Sequence, residues 1–453
     1  MEINTAIVAG TGKSGINATK LLVNHGVKVY LFDENKDRDI EAIKEKTGDS
    51  ELVQIELGEL GEDALSSSQL MVISPGIPVD APFTDVVRNA GIPIWSEIEL
   101  AYHYGKGKIA AITGTNGKTT TTALVGEIVK AHNAKTIVVG NIGIPYTELC
   151  DTTDDDSDTV AEISSFQLET VIDFHPNVSA ILNLTPDHLN RHYTFENYGN
   201  VKFSITKNQT MDDVTVLNYD DEHTRAMGEK AKDHCHVVYF SRLEKPAGGV
   251  YVEDGDIILE DGDKKINVLA IKDLKLMGAH NVENVLAAVG ISYYMGVPVD
   301  VIRDVATSFK AVAHRIEYVD TVDGVAYYND SKGTNPDAAI KGIQAMVAPT
   351  FLIGGGYDKG SEYDEWIEAF DGKVKWLVLI GQTAQKIADC AKRHGFNSII
   401  FEENLQDAVA YCHENAVDGD AVLLSPACAS WGQFDNYEQR GDMFKEYVRS
   451  YKE

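Results

Sequence analysis

The chain has 453 residues, with 40 Lys and Arg against 70 Asp and Glu and a formal net charge of −30. A chain this long suggests about three domains of ~150 residues and can bury several apolar cores without staples. So acidic a balance argues against a nucleic-acid-binding face, and an anionic ligand would need locally gathered Lys, Arg and His.

Five scattered cysteines, Cys150, Cys235, Cys390, Cys412 and Cys428, show no C-x-x-C spacing. They read as reduced thiols rather than a disulfide framework or a zinc knuckle. The N-terminus enters apolar "TAIVAG" with no basic n-region or cleavage signal, and no apolar run approaches the ~18 residues that span a bilayer. The expectation is a soluble, cytoplasmic protein without membrane insertion.

"TAIVAGTGKSG" reads as a strand running into Gly10-x-Gly12-x-x-Gly15, followed by a helix over "INATKLLVNHG". "VKVYLFD" is then a second strand ending on Asp33. This βαβ pattern is the dinucleotide fingerprint. Taken alone it fits NAD, another diphosphate such as that of a nucleotide sugar, or a structural turn. "LMVISPGIP" adds a further buried strand and a Pro-Gly turn.

"KIAAITGTNGKTTTTALVGEIV" is strand, glycine loop and helix. The usual G-x-x-x-x-G-K-[ST] loop would place glycine where Ile112 stands, so this loop is short, starting at Gly114. Gly114 and Gly117 permit the backbone of Thr115 and Asn116 to curl N–H groups around phosphate oxygens. Lys118 can neutralise the β/γ-phosphates and Thr119 can offer its hydroxyl to Mg²⁺. Thr120 to Thr122 are poor helix formers, tolerable in a first turn that a phosphate compensates.

Strand-and-turn units "TIVVGNIG", "TVAEISSFQLE" and "VSAILNLTPDHLNRH" follow, as in a doubly wound sheet. The acidic run Asp151–Asp158 reads as a solvated loop. From "DVTVLNYDDEHT" to "KINVLAIKDLKL" a small antiparallel insertion or subsheet is expected, then a helix over "MGAHNVENVLAAVGISYYMG". A third α/β segment begins near Ala311.

Several residues stand out by type and place. Glu162 ends a strand where a nucleotide-binding sheet would hold a metal-binding carboxylate, or it is solvated. His188 and His192 are four apart, on one face if helical, but Leu189 replaces the Glu that a zinc protease needs. His188 could ligate a metal, touch a phosphate or cap a turn. Lys202 reads by spacing as a solvated helix lysine. His314, Arg315, Asp330, Lys332 and Thr334 form the cationic cluster that the acidic chain otherwise lacks, suited to phosphoryl oxygens.

In this order, "GTNGKTT", "EISSFQLE", "NLTPDHLNRH", "MGAHNVENVLAA", "AHRIE" and "NDSKGTNP" resemble the Mur ligases, the ATP-dependent amide ligases of peptidoglycan assembly. "SPGIP" and "LLSPACASWGQFDNYEQRG" look like the branch that adds D-glutamate to UDP-N-acetylmuramoyl-L-alanine. The resemblance covers essentially the whole chain. It implies three α/β domains: a Rossmann-like UDP-substrate domain (1–98), a central ATP-binding P-loop domain (99–311) and a Rossmann-like C-terminal domain (312–453). Closure of the third domain about residues 311–315 is also implied.

The resemblance further implies ATP, two Mg²⁺ ions and an acyl-phosphate intermediate. Lys118 and the loop Gly114–Thr120 would hold phosphates, Thr119 and Glu162 one Mg²⁺, and His188 and Lys202 the second. Lys202 would be carbamylated by CO₂. Asn281, Arg315, Asp330 and Lys332 would contact ATP, and Thr334, Lys359, Ser430 and Tyr437 the D-glutamate. Lys13, Ser14, Asp33 and Gly76 would meet the uridine diphosphate, with Asn141, Ser164 and Gln167 along the sugar and peptide, so the fingerprint is read as a UDP site.

Asn190 departs from the Asp common in the family, Asn35 stands where an Arg contact is expected, and Tyr437 occupies a position that can be Phe. Alternatives are a sister ligase or folylpolyglutamate synthase using another amino acid, a P-loop binding module, or a nicotinamide dehydrogenase. A monomer is expected.

Overall fold

The computed structural model describes residues 3–141, 143–276, 278–310 and 313–452. The side chain of Asn190, and residues 311 and 312 at the expected boundary and hinge, lie outside the described set. Three separate sheets order the chain, and the strands buried on both faces read as near-continuous apolar runs, as parallel strands under helices do.

The first sheet contains β1 (Thr5–Ala9), β2 (Lys28–Asp33), β3 (Val53–Leu57), β4 (Leu70–Ile73) and β5 (Ile94–Ser96), in order β3-β2-β1-β4-β5. All four pairings are parallel. The chain reverses direction of winding between β1 and β4, the place where open α/β sheets leave a crevice at their carboxyl ends. Gly15 lets the helix Lys13–Asn24 seat on this edge, since a Cβ there would lie 1.8 Å from the Gly10 carbonyl oxygen.

The second sheet has nine strands: β6 (Lys108–Thr113), β7 (Ile137–Gly140), β8 (Asp158–Glu162), β9 (Val178–Ile181), β10 (Val214–Asn218), β11 (His236–Ser241), β12 (Gly249–Glu253), β13 (Asp256–Asp261) and β14 (Lys264–Ala270). Their order is β14-β13-β12-β11-β10-β9-β6-β8-β7. The expected antiparallel insertion is therefore not a separate subsheet. β10, β11 and β12 extend the main sheet in parallel, and β13 alone runs against it, antiparallel to both β12 and β14. The reversal between β12 and β13 is made by Asp254 and Gly255, both at positive φ (53° and 85°), the primed hairpin geometry that an Asp-Gly pair favours.

The acidic run is exposed at Asp151, Asp154, Asp155 and Asp156, as expected of a solvated loop, and departs from that expectation only at its end. Asp158 begins β8 and is buried, accepting from Asn133 Nδ2 at 2.8 Å, while Asp154 accepts from Lys135 at 2.6 Å. The strand start must be hydrogen-bonded to be buried, and Asn133 meets that need.

The third sheet contains β15 (Glu317–Val322), β16 (Val325–Asn329), β17 (Thr350–Gly354), β18 (Val374–Leu379), β19 (Ile399–Phe401) and β20 (Ala421–Leu424), in order β15-β16-β20-β17-β18-β19, with β15 alone antiparallel. Contacts divide the chain into two compact units: Met1–Asp273 with Glu283–Thr307, and Leu274–Val282 with Ser308–Glu453. The first two sheets share one unit and the third forms the other. No helix among the described residues is long and apolar enough to cross a membrane.

Inside the first unit the two sheets are fastened through the helix Glu97–Tyr104. Glu99, fully buried, accepts from the backbone N–H groups of Ile172, Asp173 and Phe174 at 3.0, 2.7 and 3.1 Å. Three backbone donors on one carboxylate replace its water shell and satisfy a loop that no strand pairs. Glu99→Ala is expected to lower unfolding stability by about 2–4 kcal/mol, because it strands those donors. Denaturant titration checks this, with Glu99→Gln falling between the two because one acceptor oxygen remains.

Candidate functional site

β6 runs directly into the loop Gly114–Gly117 and the helix Lys118–His132. Gly114 has φ +147° and Gly117 φ +82°, and a Cβ at Gly117 would stand 2.3 Å from Asn284 Oδ1, so neither position accepts a side chain. No side chain caps the helix at Gly117, and the positive end of the helix dipole lies at this loop, as it does in anion-binding turns. Thr115 Oγ1 lies 3.1 Å from the Thr185 carbonyl and from Tyr198 Oη. Asn116 N donates to Asn183 Oδ1 at 2.8 Å. Thr119 and Thr120 are buried in the first helical turn.

Two lysines close on this loop. Lys118 Nζ donates to the carbonyls of Gly114 (2.9 Å) and Thr115 (2.8 Å). Lys202, from the helix Phe195–Phe203, donates to the same Gly114 carbonyl at 2.8 Å and to Thr113 Oγ1 at 3.3 Å. It is 1% exposed, not solvated as its spacing suggests. Burial first, then the nearby Lys118 charge, hold the Lys202 amine well below the usual lysine range, against a partial pull from Asp187 and Glu162.

Glu162 ends β8 beside Ile112 of β6. Its Oε1 accepts from Asn141 Nδ2 at 2.9 Å, while Oε2 is buried with no hydrogen-bond partner. A partnerless buried carboxylate oxygen, in the strand next to the one that leads into a helix with Thr119 in its first turn, fits a hard cation such as Mg²⁺. His188 sits in left-handed backbone (φ 52°), a conformation uncommon outside glycine. Burial foremost holds its imidazole below the usual range, helped by Lys118, Lys202 and Arg191 and opposed by Asp187, so the neutral, ligand-competent ring dominates near pH 7. His192, grouped with it by spacing, is instead buried, 3.0 Å from Ser165 Oγ, with its pKa pushed down to about 4 chiefly by burial.

At the carboxyl edge of the first sheet, Lys13, Ser14, Asp33, Gly76, Asn141 and Gln167 line one cleft of about 470 Å³. Gly12 has open space where a Cβ would stand, and it caps the helix Lys13–Asn24 without a side-chain bond. Asp33 Oδ2 accepts from Thr11 Oγ1 (2.6 Å) and Arg38 Nε (3.2 Å), and Oδ1 accepts from Asn35 N (3.0 Å). Burial would raise the Asp33 carboxyl, but these bonds and Arg38 outweigh it and hold it below the usual carboxylate range. Ser164 is not part of the lining. It forms a capping box with Gln167, each bonding the other's backbone N–H.

In the second unit the residues gather on loops that follow β16, β17 and β20. Asp330 is buried, accepting from Ser425 Oγ at 2.6 Å and Ile316 N at 3.3 Å, and burial pushes its carboxyl up to about 7. Arg315 lies between His314 and Ile316, both at positive φ (63° and 46°), and its Nε is buried without a hydrogen-bond partner. Positive φ at a β-branched residue is strain of the kind that collects at binding sites. Asn281 is buried in the first turn of the helix Ala279–Tyr294. Lys332 lies over the Tyr437 ring at 5.6 Å and Lys359 over Trp431 at 4.6 Å. Ser430 is buried beside Trp431, and Thr334 N donates to the Lys332 carbonyl at 2.8 Å.

Three residues escaped the sequence reading. Arg38 lines the cleft and pairs with Asp33, and an Arg in the loop after β2 was the available signal. Glu97, buried, takes the Thr147 backbone and hydroxyl at 2.7 and 2.9 Å behind Gln167. Arg440, also buried, bonds Ser331 Oγ, the Ser331 carbonyl and the Cys428 carbonyl at 2.9, 2.7 and 3.2 Å, stitching together the loops that carry Lys332 and Ser430. Nothing in the local pattern marks either of these last two.

Comparison with known proteins matches residues 4–96 to a Mur ligase MurD-like N-terminal domain, 112–292 to the Mur ligase middle domain and 314–428 to the Mur ligase glutamate ligase domain. The chain is 56% identical over 99% of both lengths to the UDP-N-acetylmuramoylalanine--D-glutamate ligase of Lachnospira eligens. It is 51% identical to the ligase of the same name from Lachnoclostridium phytofermentans, covering 99% of this chain and 98% of that one. Among solved structures, the UDP-N-acetylmuramate-alanine ligase of Thermotoga maritima superposes with a TM-score of 0.61 at 19% identity, over 99% of this chain and 100% of that one. The MurF ligase of Thermotoga maritima in complex with ADP gives 0.59 at 16%, over 98% and 95%. These last two bear on the fold alone.

Because folding raises the Asp330 pKa, the protonated form is the one the fold favours. Its contribution is complete below pH ~4, the unfolded value, and disappears as pH rises through about 7. Relative to wild type, Asp330→Asn is expected to gain melting temperature between pH 5 and pH 8 in the absence of ligands. A constant difference across that range, read by thermal denaturation, contradicts the assignment.

Proposed function

The chain belongs to the Mur ligase family, and from that premise we propose that it is an ATP-dependent, ADP-forming acid–amino-acid ligase that joins D-glutamate to UDP-N-acetylmuramoyl-L-alanine in peptidoglycan synthesis. The observation that carries this reading is 56% identity along 99% of the chain to a ligase of that name. We take the protein to be a cytoplasmic monomer with domains at 1–98, 99–311 and 312–453. Family models at 4–96, 112–292 and 314–428 support that division.

A carboxylate is a poor electrophile, so the reaction needs its oxygen converted into a leaving group. A carboxylate oxygen of the muramyl substrate attacks the γ-phosphorus of ATP and ADP departs. The amine of D-glutamate then attacks the acyl carbon, loses a proton, and inorganic phosphate leaves as the amide forms. What the protein supplies is position and charge neutralisation rather than a nucleophile.

Each residue set has a part in that chemistry. The glycine loop with Lys13, Ser14, Asp33 and Gly76 holds the uridine diphosphate, the helix N-terminus at Gly12 facing its negative charge, while Asn141 and Gln167 follow the sugar and peptide and Ser164 acts there through Gln167, which it holds in the capping box. Gly114 to Thr120, with Lys118, cradle the phosphates of ATP. Asn281, Arg315, Asp330 and Lys332 contact ATP, and Thr334, Lys359, Ser430 and Tyr437 hold D-glutamate. Thr119 with Glu162, and His188 with Lys202, are the residues that would hold two Mg²⁺ ions. Bound there, the ions would offset the charge of the phosphate oxygens.

The depressed basicity of Lys202 supports its carbamylation, since the neutral amine is the form that adds to CO₂. An N–C bond forms, the nitrogen releases a proton to solvent, and a buried neutral amine becomes a two-oxygen anionic ligand.

Phosphate release with UDP-N-acetylmuramoyl-L-alanine and ATP should require D-glutamate, and equal turnover with a diamino acid or L-alanine would reassign the chain to a sister ligase. Oxygen-18 in the muramyl carboxylate should pass into the phosphate released. Lys118→Ala is expected to lower kcat by about 10³-fold or more. Lys202→Ala should be inactive and partly restored by added short carboxylates, and full activity without them would remove the carbamate.

A further inference from the structure

The helix Ala384–Arg393 carries Cys390, and His394 caps its end with its N–H on the Cys390 carbonyl at 3.2 Å. Their four-residue spacing puts thiol and imidazole on one face. The neighbouring helix Asp364–Glu368 repeats the spacing with two carboxylates. His394 Nε2 lies 2.8 Å from Asp364 Oδ1, and its Nδ1 lies 3.6 Å from Glu368 Oε1. The donor atoms of Asp364, Cys390 and His394 are all within 4.8 Å of one another.

We propose that Asp364, Cys390 and His394 form a binding site for a thiophilic divalent cation of the zinc class, separate from the nucleotide machinery. One sulfur, one imidazole nitrogen and one carboxylate make a borderline-soft donor set that suits zinc or cobalt and disfavours Mg²⁺. The cation takes the position between Nε2 and Asp364 Oδ1 that the hydrogen bond now spans. The imidazole proton moves to Nδ1, where Glu368 accepts it, the orienting partner that ligating histidines keep. The thiol proton leaves to solvent, and water fills the fourth position of an otherwise three-ligand site.

Access and burial fit this use. The Cys390 side is 3% exposed, while His394 and Asp364 are 25% and 44% exposed, so the site opens on one side only. Arg393 reaches Asp364 Oδ1 at 3.3 Å, but it is a surface side chain that can swing into water when a cation arrives. The contrasting cluster of Glu99, His103 and Asp173 has no such capacity, because both Glu99 oxygens already hold backbone N–H groups. With a cation in place, two helices that pack through Trp366, Ile387 and Ala391 of one core become joined by coordinate bonds as well.

The test is a Co²⁺ titration of the full chain in excess Mg²⁺. One equivalent should produce near-ultraviolet thiolate-to-cobalt absorption together with visible bands of four-coordinate intensity, and Zn²⁺ should displace both. Cys390→Ser should abolish the near-ultraviolet band, and Cys235→Ser should keep it. His394→Gln and Asp364→Asn, both at exposed positions, should each weaken Co²⁺ binding by about tenfold or more. They should also lose the Zn²⁺-dependent rise in melting temperature shown by the wild type. Absence of the thiolate band in the wild-type chain, its survival in Cys390→Ser, or unchanged affinity in the His394 and Asp364 variants overturns the proposal.

Discussion

The carbonyl oxygen of Gly114 accepts from Lys118 at 2.9 Å and from Lys202 at 2.8 Å. Two ammonium groups on one oxygen, one of them fully buried, cannot both stay charged without anions nearby, because low-dielectric surroundings amplify their repulsion. The surrounding residues answer that constraint in two ways. Lys202 gives up basicity, and the Asp187 and Glu162 carboxylates offset part of the repulsion it feels. What remains is a loop that gathers Lys118 and the positive end of a helix dipole, with the Glu162 Oε2 partnerless at the end of the adjoining strand.

The same physics recurs with opposite sign at Asp33 and Asp330. Both carboxylates sit at the carboxyl ends of parallel strands and both meet arginines, yet their basicities move apart. Asp33 collects Thr11, Asn35 and Arg38 at hydrogen-bonding distance and stays ionised, which fixes the glycine loop above it. Asp330 is more deeply buried, and Ser425, Arg315 and Arg440 do not recover its lost hydration, so its carboxyl rises to about 7.

Glycine loops, strand ends and the order of motifs were legible because each is local: a positive-φ requirement, an apolar run or a Lys-Thr pair lies within ten residues. Lys202 was not legible from its own surroundings. In "FENYGNVKF" it has the spacing of a surface lysine, and only the fold brings it 88 residues back to Gly114. Glu97 and Arg440 were hidden for the same reason, since their partners Thr147 and Ser331 lie 50 and 109 residues away. The end of the acidic run misled for a related one. Net charge says that water is preferred, but a strand beginning at Asp158 and a donor from Asn133 outweighed that preference.

By itself, the sequence determined the parallel α/β class, the two glycine turns and the residue types available at each strand end, because backbone sterics and hydrophobic periodicity act over a few residues. Only the tertiary structure decided which of those groups lose their water. Burial is a property of what packs from elsewhere in the chain. It moved the basicity of Lys202 and His188 down and that of Asp330 up, joined β10–β14 to the main sheet, and brought Cys390 and His394 up against Asp364.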